Sequence, residues 1–235
     1  MALPLYLAMT AAEFSAARPL PAHPAWMACH FSPYGLGLIN FPGRLPEGAM
    51  LVVNDRTPIH GHDPDVIAGQ LREAAERLRP RAILLDFQRP GEAAVRSAVE
   101  AVLAAAPCPV GVSAAYAKAL SCPVLLPPTP LLCPLENQLA PWRGREIWLE
   151  VSLAGESVFV GTEGAAAYPW PDAEDIQPVF WEETLRCRYA VRRTSQGIWF
   201  HLRRSREDIA ALLVAGEKMG VTLAAGLFQE FRRNQ

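Results

Sequence analysis

Residues 83–90, ILLDFQRP, place two polar side chains at the end of an apolar run that a proline then stops. Side chains alternate along a strand, so Asp86 and Gln88 share one face with Leu84. In a barrel of parallel strands, one face points into the lumen and the other into the surrounding helices. An ionised aspartate among packed helices is too costly, so Asp86 and Gln88 are predicted to point inward near the mouth. A structural role for Asp86, bonding a neighbouring strand end, is the alternative.

Other short apolar runs repeat this pattern along the chain. Eight of them are predicted as strands: Pro4–Met9, Ala25–Phe31, Met50–Asn54, Ala82–Gln88, Val110–Ser113, Val124–Pro127, Glu146–Ser152 and Val221–Phe228. Three helices are predicted at Asp65–Arg79, Glu92–Ala106 and Glu207–Met219. Runs such as MLVVN are apolar on both faces, which is typical of parallel strands covered by helices. The pattern predicts an α/β fold, a (β/α)8 barrel of the TIM type forming one domain over residues 1–235, with several crossover helices reduced to loops.

Residues 153–200 interrupt this alternation. The stretches SVFVG, RCRYAVRR and GIWFHLRR are typical of antiparallel strands, and TSQG between the last two predicts a hairpin turn. We expect a small α+β insertion after the seventh strand, within the barrel domain.

Composition and charge exclude several classes of protein. A net charge of −2 and a pI near 6.2 argue against a nucleic-acid partner held by a basic surface. Five cysteines without paired metal-type spacing favour a reducing compartment. The N-terminal residues have no basic region and only a short apolar run, which predicts a strand rather than a signal peptide. The lack of a signal peptide predicts a cytoplasmic protein. No window is long enough to span a membrane, so no membrane contact is expected.

The stretch HGHD contains the residues that most resemble metal ligands. His60 and His62 lie two positions apart on a loop beside Asp63, and no further ligand is identifiable. We therefore expect no metal and no cofactor.

The stretch RAILLDFQRP resembles the fourth-strand motif of glycoside hydrolase family 18, the chitinase-like barrels, which reads D-G-x-D-x-D-x-E. The last aspartate of the motif falls on Asp86, the next aromatic on Phe87 and the catalytic glutamate on Gln88. The first two aspartates fall on Arg81 and Leu84, so the motif is degraded. This run is also the fourth strand of the predicted series.

A second match lies in QGIWFHLRRSREDIAALLVAGEKMGVTLAAGLFQEF, residues 196–231, which resembles the end of the spore-type branch of that family. Trp199, Phe200 and Arg204 fit the family frame, whereas His201 and Leu202 replace its acidic pair. The two matches follow one another in order between residue 50 and the C-terminus, which makes them more specific together than singly.

The resemblance implies substrate-assisted hydrolysis of a β-linked N-acetylglucosamine unit. In that mechanism a glutamate protonates the leaving oxygen, and the aspartate two residues earlier orients the acetamido group. Gln88 carries no proton that it could donate as an acid, and losing such catalysis costs about 10²–10⁴ in rate. The tyrosine–aspartate pair of the sixth strand is also missing, because LLPPTP offers only Thr129. We therefore expect a catalytically impaired relative.

Further polar residues follow other predicted strands and are candidates for the mouth of the barrel. Candidate ligand-binding residues are Asn54, Asp55, Arg89 and Thr129. Glu150, within the seventh strand, is the candidate for a displaced acid. The alternative for Asp55, Arg56 and Glu230 is that they are solvent-exposed loop residues and do not line the mouth of the barrel. The aromatic residues that could stack on a sugar are Trp26, Tyr34, Trp142, Trp148, Trp170, Trp181 and Trp199. Most aromatic residues are core, and Trp148 and Trp199 are predicted to be so.

The leading hypothesis is a pseudoenzyme that binds an N-acetylglucosamine oligosaccharide or a peptidoglycan fragment, acting in the cytoplasm of a sporulating cell. The first alternative is an active glycosidase that uses Asp86 with Glu150, which a second carboxylate close to Asp86 would favour. The second is a non-catalytic scaffold, which a filled cleft would favour.

Overall fold

The structure is a computed structural model that describes residues 3–59, 61–89, 92–153, 155–170 and 177–232. The strands in chain order are β1 (Leu5–Met9), β2 (Pro24–Phe31), β3 (Leu38–Ile39), β4 (Met50–Asn54), β5 (Ala82–Asp86), β6 (Val110–Ser113), β7 (Val124–Leu126), β8 (Ile147–Val151), β9 (Gly155–Gly161), β10 (Gly164–Trp170), β11 (Val179–Glu182), β12 (Cys187–Thr194), β13 (Gly197–Arg203) and β14 (Val221–Leu227). The helices are α1 (Ala11–Ala16), α2 (Pro64–Leu78), α3 (Ala93–Ala105), α4 (Ala114–Ala117), α5 (Leu135–Leu139), α6 (Arg206–Lys218) and α7 (Phe228–Arg232).

Eight parallel strands close into a barrel. Their order is β1, β2, β4, β5, β6, β7, β8 and β14, and β14 pairs with β1, with Leu5 opposite Ala224. The short strand β3 adds to β2 in antiparallel fashion. The predicted (β/α)8 barrel is thus confirmed. Of the helices in the described parts of the chain, none is long and apolar enough to cross a membrane.

The predicted helices and strands lie where the sequence signals put them, to within two residues. Asp63 caps α2 by accepting a hydrogen bond from the Asp65 N–H (2.9 Å), and Pro64 opens the helix. The predicted run Ala82–Gln88 ends as a strand at Asp86, because the carbonyl of Phe87 accepts a hydrogen bond from the Ser113 hydroxyl instead of continuing the ladder. The helices α1, α4 and α5, which lie in connections between barrel strands, are only 4–6 residues long, and this confirms the reduced crossovers.

The core has two layers, one inside the barrel and one between barrel and helices. The lumen is filled by buried side chains from alternate positions of the strands: Tyr6, Ala25, Met50, Val52, Ala82, Leu84, Leu125, Trp148, Leu223 and Ala225. Ile83, Leu85 and Phe87 belong to the outer layer. The predicted division of the ILLDFQRP faces is therefore confirmed. Trp148 is buried, as predicted for a core residue.

The indole of Trp148 occupies space that only a glycine at position 111 leaves open. A Cβ added at Gly111 would lie 2.2 Å from Cζ3 of Trp148. We expect Gly111→Ala to lower the free energy of unfolding by about 2 kcal/mol, because overpacking forces the ring or a strand to shift. Urea denaturation measures this loss. Combining it with Trp148→Leu should cost less than the sum of the two single losses, and strictly additive losses would contradict the clash.

The insertion is a five-stranded antiparallel sheet in the order β10, β9, β13, β12, β11. The predicted hairpin is present, with Thr194 paired to Gly197. An α+β unit was expected, but the described residues of the insertion contain strands and no helix. The core position predicted for Trp199 is wrong, because its side chain is partly exposed on this sheet beside Phe159 and Tyr168. The strands of this separate sheet carry many partly or fully exposed side chains, so a strand position there does not imply burial on both faces.

Arg204 fixes the insertion to the barrel. Its side chain is 5% exposed, and its guanidinium donates to the carbonyl of Thr129 on a barrel loop (2.5 Å). It also donates to the carbonyls of Leu185 (2.8 Å) and Arg186 (3.0 Å) in the turn between β11 and β12. An ion pair from Arg186 to Glu136 of α5 (2.7 Å) adds a second connection.

Candidate binding cleft at the barrel mouth

A cleft of about 750 Å³ opens at the carboxyl ends of the barrel strands. The lining residues follow β1 and β3, belong to β2, or end and follow β4 and β5. They are Thr10, Ala11, Ala12, Trp26, Met27, Ala28, His30, Asn40, Phe41, Asn54, Asp55, Arg56, Asp86 and Gln88. Active sites of barrel enzymes lie on this face, because the loops there come from every strand. Side chains do not fill this cleft. A filled cleft was the feature that would have favoured a non-catalytic scaffold.

Asp86 and Gln88 lie together in the wall of this cleft. Asp86 ends β5 opposite Asn54 of β4, and the amide of Gln88 donates a hydrogen bond to Oδ1 of Asp86. Burial raises the pKa of Asp86, the negative charge of Asp55 raises it further, and the hydrogen bond from Gln88 opposes both. Within the described residues, no hydrogen bond or ion pair joins Arg89 to Asp86, because Arg89 instead donates to residues 55 and 56.

Glu150 lies on the lumen side of β8, as its alternation with buried Leu149 and Val151 requires. It shares a cavity of about 40 Å³ with Asp86, and the other lining residues are apolar. Burial raises the pKa of Glu150 to about 7, and the charges of Asp86 and Glu230 contribute. The structure therefore brings the candidate displaced acid and Asp86 together.

Asn54 and Asp55 also line the cleft, but both side chains serve the fold. The amide of Asn54 donates to the carbonyl of Met27 (2.9 Å). Asp55 was weighed as a solvated loop residue, yet it is 7% exposed and its carboxylate accepts a hydrogen bond from the Arg89 backbone N–H (2.7 Å). The side chain of Arg89 donates in turn to the carbonyls of residues 55 and 56, outside the cleft lining. The side chains of Asn54, Asp55 and Arg89 are thus held by contacts between segments distant in the sequence, which no local sequence pattern predicts.

Thr129 lies apart from the cleft. It is buried, its hydroxyl donates to Oε1 of Gln138 (2.6 Å), and it borders a groove of about 330 Å³ between the barrel and the insertion. Glu230 is not a solvated residue either, because its carboxylate accepts hydrogen bonds from Ser152 Oγ (2.9 Å) and Leu153 N–H (2.6 Å). Both residues hold loops in place.

Sequence reasoning missed a polar pair in the cleft, His30 and Asn40. Nε2 of His30 lies 3.0 Å from the amide nitrogen of Asn40, and Nδ1 lies 2.8 Å from the carbonyl of Phe31. Both ring nitrogens of His30 are therefore engaged within the protein. Trp26, one of the candidate stacking residues, lines the cleft and donates from Nε1 to the carbonyl of Asn40 (2.9 Å). Asn40 has a positive φ of 62°, a region that asparagine tolerates better than most residues. The asparagine at this position was therefore the only local sign of the pair in the sequence.

The described residues contain no group of three or more His, Cys, Asp or Glu side chains arranged to hold a metal ion. In the HGHD stretch, Asp63 caps α2 and His62 is buried against Phe31, while His60 lies outside the described residues.

No protein-family model matches the sequence, and no curated protein is significantly similar to it. Solved structures, in contrast, match over nearly the whole chain. A family GH18 chitinase from Cycas revoluta in complex with allosamidin is 11% identical with a TM-score of 0.61, over 96% of this chain and 94% of that one.

Two further matches have different functions in their names. The spore cortex-lytic enzyme SleL of Bacillus cereus is 10% identical with a TM-score of 0.55, over 95% of this chain and 70% of its own. A chitinase-like agglutinin from Robinia pseudoacacia is 13% identical with a TM-score of 0.57, over 97% and 96%. At these identities the similarity establishes the fold, which is that of the family 18 chitinases and their spore-type relatives.

Proposed function

We propose that this protein binds glycans containing N-acetylglucosamine in the cleft at the barrel mouth and does not hydrolyse them efficiently. The observation that carries the proposal is the open cleft of about 750 Å³ in which the amide of Gln88 bonds to Asp86. Similar folds among a chitinase, a cortex-lytic enzyme and an agglutinin support a carbohydrate as the kind of ligand.

The composition of the cleft suits a sugar. Binding clefts for small ligands typically enclose about 300–1,000 Å³ and combine apolar surface with a few polar groups. Trp26 and Phe41 supply aromatic surface on which the apolar face of a pyranose can pack. Asn40 and Gln88 supply amides for sugar hydroxyl and acetamido groups, and Asp86 supplies a hydrogen-bond acceptor.

Efficient hydrolysis needs an acid next to the glycosidic oxygen, and at the position where the family resemblance expects this acid the chain carries the amide of Gln88. Glu150 is acidic, but the cavity that it shares with Asp86 measures only about 40 Å³. One water needs about 10–15 Å³ of such space, so this cavity holds about three waters and no sugar ring. Glu150 therefore lies beneath the cleft and away from a bound glycan.

One observation favours a second candidate, a glycosidase that uses Glu150 and Asp86. A carboxyl with a pKa of about 7 beside a second carboxyl is a common arrangement of acid–base catalysts. A water between the two groups would have to relay the proton to the sugar.

Asp86→Ala tests the binding proposal. A hydrogen bond from a ligand amide to a carboxylate contributes about 1.5–3 kcal/mol, so we expect affinity for N-acetylglucosamine tetramer to fall about tenfold or more. The melting temperature should not fall, because the only hydrogen bond that Asp86 accepts within the described residues comes from Gln88. Calorimetric titration and a melting curve on the same variant measure both quantities.

The matched control is Glu163→Ala, which removes an exposed carboxylate in the turn between β9 and β10. It should leave both affinity and melting temperature unchanged. If wild-type protein binds no oligosaccharide and Asp86→Ala lowers the melting temperature strongly, Asp86 is a structural residue and the binding proposal fails.

A further inference from the structure

The antiparallel sheet of the insertion ends in an uncovered edge strand, β10. It pairs with β9 on one side, and no other strand in the described parts of the chain pairs with it. Residues 164–169 of this strand are exposed, and Tyr168 is 49% exposed. A strand edge of this kind presents main-chain donors and acceptors that can pair with another strand.

The hairpin geometry determines which main-chain groups of β10 point away from β9. Two residues separate Gly161 from Gly164, so this pair closes the hairpin and exchanges its main-chain hydrogen bonds. Hydrogen-bonded and non-hydrogen-bonded pairs alternate from there, so the N–H and C=O groups of Ala165 and Ala167 point outward. Pro169 belongs to the same outward set, where its missing N–H costs no bond with β9. The edge therefore offers main-chain donors at positions 165 and 167 and acceptors at positions 165, 167 and 169.

We propose that β10 is a self-association surface, which pairs in antiparallel fashion with β10 of a second copy of this protein. When Ala166 lies opposite Ala166 of the second copy, Ala165 of each copy lies opposite Ala167 of the other. Each of these two pairs exchanges two hydrogen bonds, so every outward N–H group of both strands finds an acceptor. This inference concerns the insertion and does not depend on a ligand in the cleft.

The side chains of β10 suit pairing of the strand with itself. Its sequence, GAAAYPW, contains no charged residue, and its alanines leave room for two strands to approach closely. Tyr168 lies opposite Gly164 of the second copy, where an aromatic ring can cover the glycine. Glu163 precedes the strand, three residues from the two-fold axis, so its two copies lie about 20 Å apart at about 3.4 Å per residue. Salt screens exposed charges at that distance.

The second edge strand of this sheet, β11, is a poorer partner for a copy of itself. It ends at Glu182, and Glu183 follows directly. Charged side chains on an edge strand oppose pairing between identical strands. The self-association is therefore assigned to β10 and not to β11.

Antiparallel pairing also keeps the two barrels apart. Residues 167–169, in the second half of β10, border the groove to the barrel loop at residues 128–131, whereas Gly164 at the hairpin turn does not. The barrel ends of the two strands therefore lie at opposite ends of the pair. Two strands of seven residues form a small interface, and interfaces below about 1,200 Å² are typically transient. We expect an equilibrium between monomer and dimer that dilution shifts to the monomer.

Sedimentation equilibrium at a series of protein concentrations measures this association. Ala167→Pro removes one outward N–H from each copy and breaks no bond with β9, so the dissociation constant should rise about tenfold or more. The melting temperature should not fall, because proline is tolerated at such an edge position. Ala167→Ser keeps the N–H and is the matched control, which should associate as wild type does. Wild-type protein that stays monomeric at every concentration, or an Ala167→Pro dimer as tight as that of wild type, overturns the proposal.

A cysteine at position 166 tests the register of the two strands. Opposite residues in a non-hydrogen-bonded pair have Cα atoms about 4.5 Å apart, which lies within the range that a disulfide spans. Ala166→Cys should therefore form an intermolecular disulfide at least about ten times faster than Ala165→Cys, whose two copies are displaced along the strands. Ala210→Cys, at an exposed position of α6, is the control for random collisions. Equal rates of disulfide formation for the three variants would contradict a pairing centred on Ala166.

Discussion

Gln88→Glu is expected to raise the rate of hydrolysis of N-acetylglucosamine oligomers at least about a hundredfold over wild type, the lower end of what general-acid catalysis supplies. The amide of Gln88 already donates to Oδ1 of Asp86. A glutamic acid of the same length can make the same hydrogen bond only when it is protonated. Asp86 beside it disfavours a second negative charge, which should raise the pKa of the new carboxyl and favour the protonated form that the acid role needs. Chromatography of the released oligomers measures the rate.

The double variant Gln88→Glu with Asp86→Asn is the control for this gain. It keeps the new carboxyl but removes the group that orients the acetamido group in the mechanism implied by the family resemblance, so the added activity should be lost. Rapid hydrolysis by wild type that survives Gln88→Ala and disappears in Glu150→Gln would contradict the expectation and identify the glycosidase that uses Glu150.

Glu150→Gln is expected to stabilise the protein by about 3 kcal/mol at pH 8 and to leave its stability unchanged at pH 4. The pKa of Glu150 is about 7 in the folded protein against an ordinary 4.5. Between these two values the folded state holds a proton that the unfolded state has released, so wild-type stability falls as the pH rises through this window. Each pKa unit corresponds to about 1.4 kcal/mol, and glutamine imitates the protonated form at every pH.

Urea denaturation at pH 4, 6 and 8 measures the difference. Glu163→Gln removes an exposed carboxylate and should follow the wild-type curve at all three values. If wild type and Glu150→Gln lose the same stability between pH 4 and pH 8, Glu150 is ionised at little cost and the cavity beneath the cleft is more hydrated than its lining indicates.

The barrel could be predicted because its signals are local. The alternation around Asp86, the apolar runs and the cap at Asp63 each depend on neighbours within a few residues, and each is present in the structure. The degraded motif also located the cleft, because a residue at the end of a parallel strand must lie at the barrel mouth.

The rest of the site depends on contacts between distant loops. Asp55 and Arg89 are 34 residues apart, yet their hydrogen bond buries one carboxylate that the sequence assigned to the ligand or to solvent. His30 and Asn40 meet only because the two-residue strand β3 pairs with β2, and a strand of that length has no detectable period. An α+β insertion was expected, whereas its described residues form strands only, since three recognisable strands do not indicate what the stretches between them form.

The connection through Arg204 has a consequence for how the protein opens. Its three carbonyl partners belong to the barrel loop at Thr129 and to the insertion turn at Leu185 and Arg186, so the sheet cannot swing away unless a buried guanidinium loses its acceptors. Such a loss costs several kcal/mol, about as much as unfolding a whole local unit. The insertion and the barrel should therefore exchange their protected amide hydrogens as one cooperative unit, and ligand exchange at the mouth should proceed without a hinge motion of the sheet.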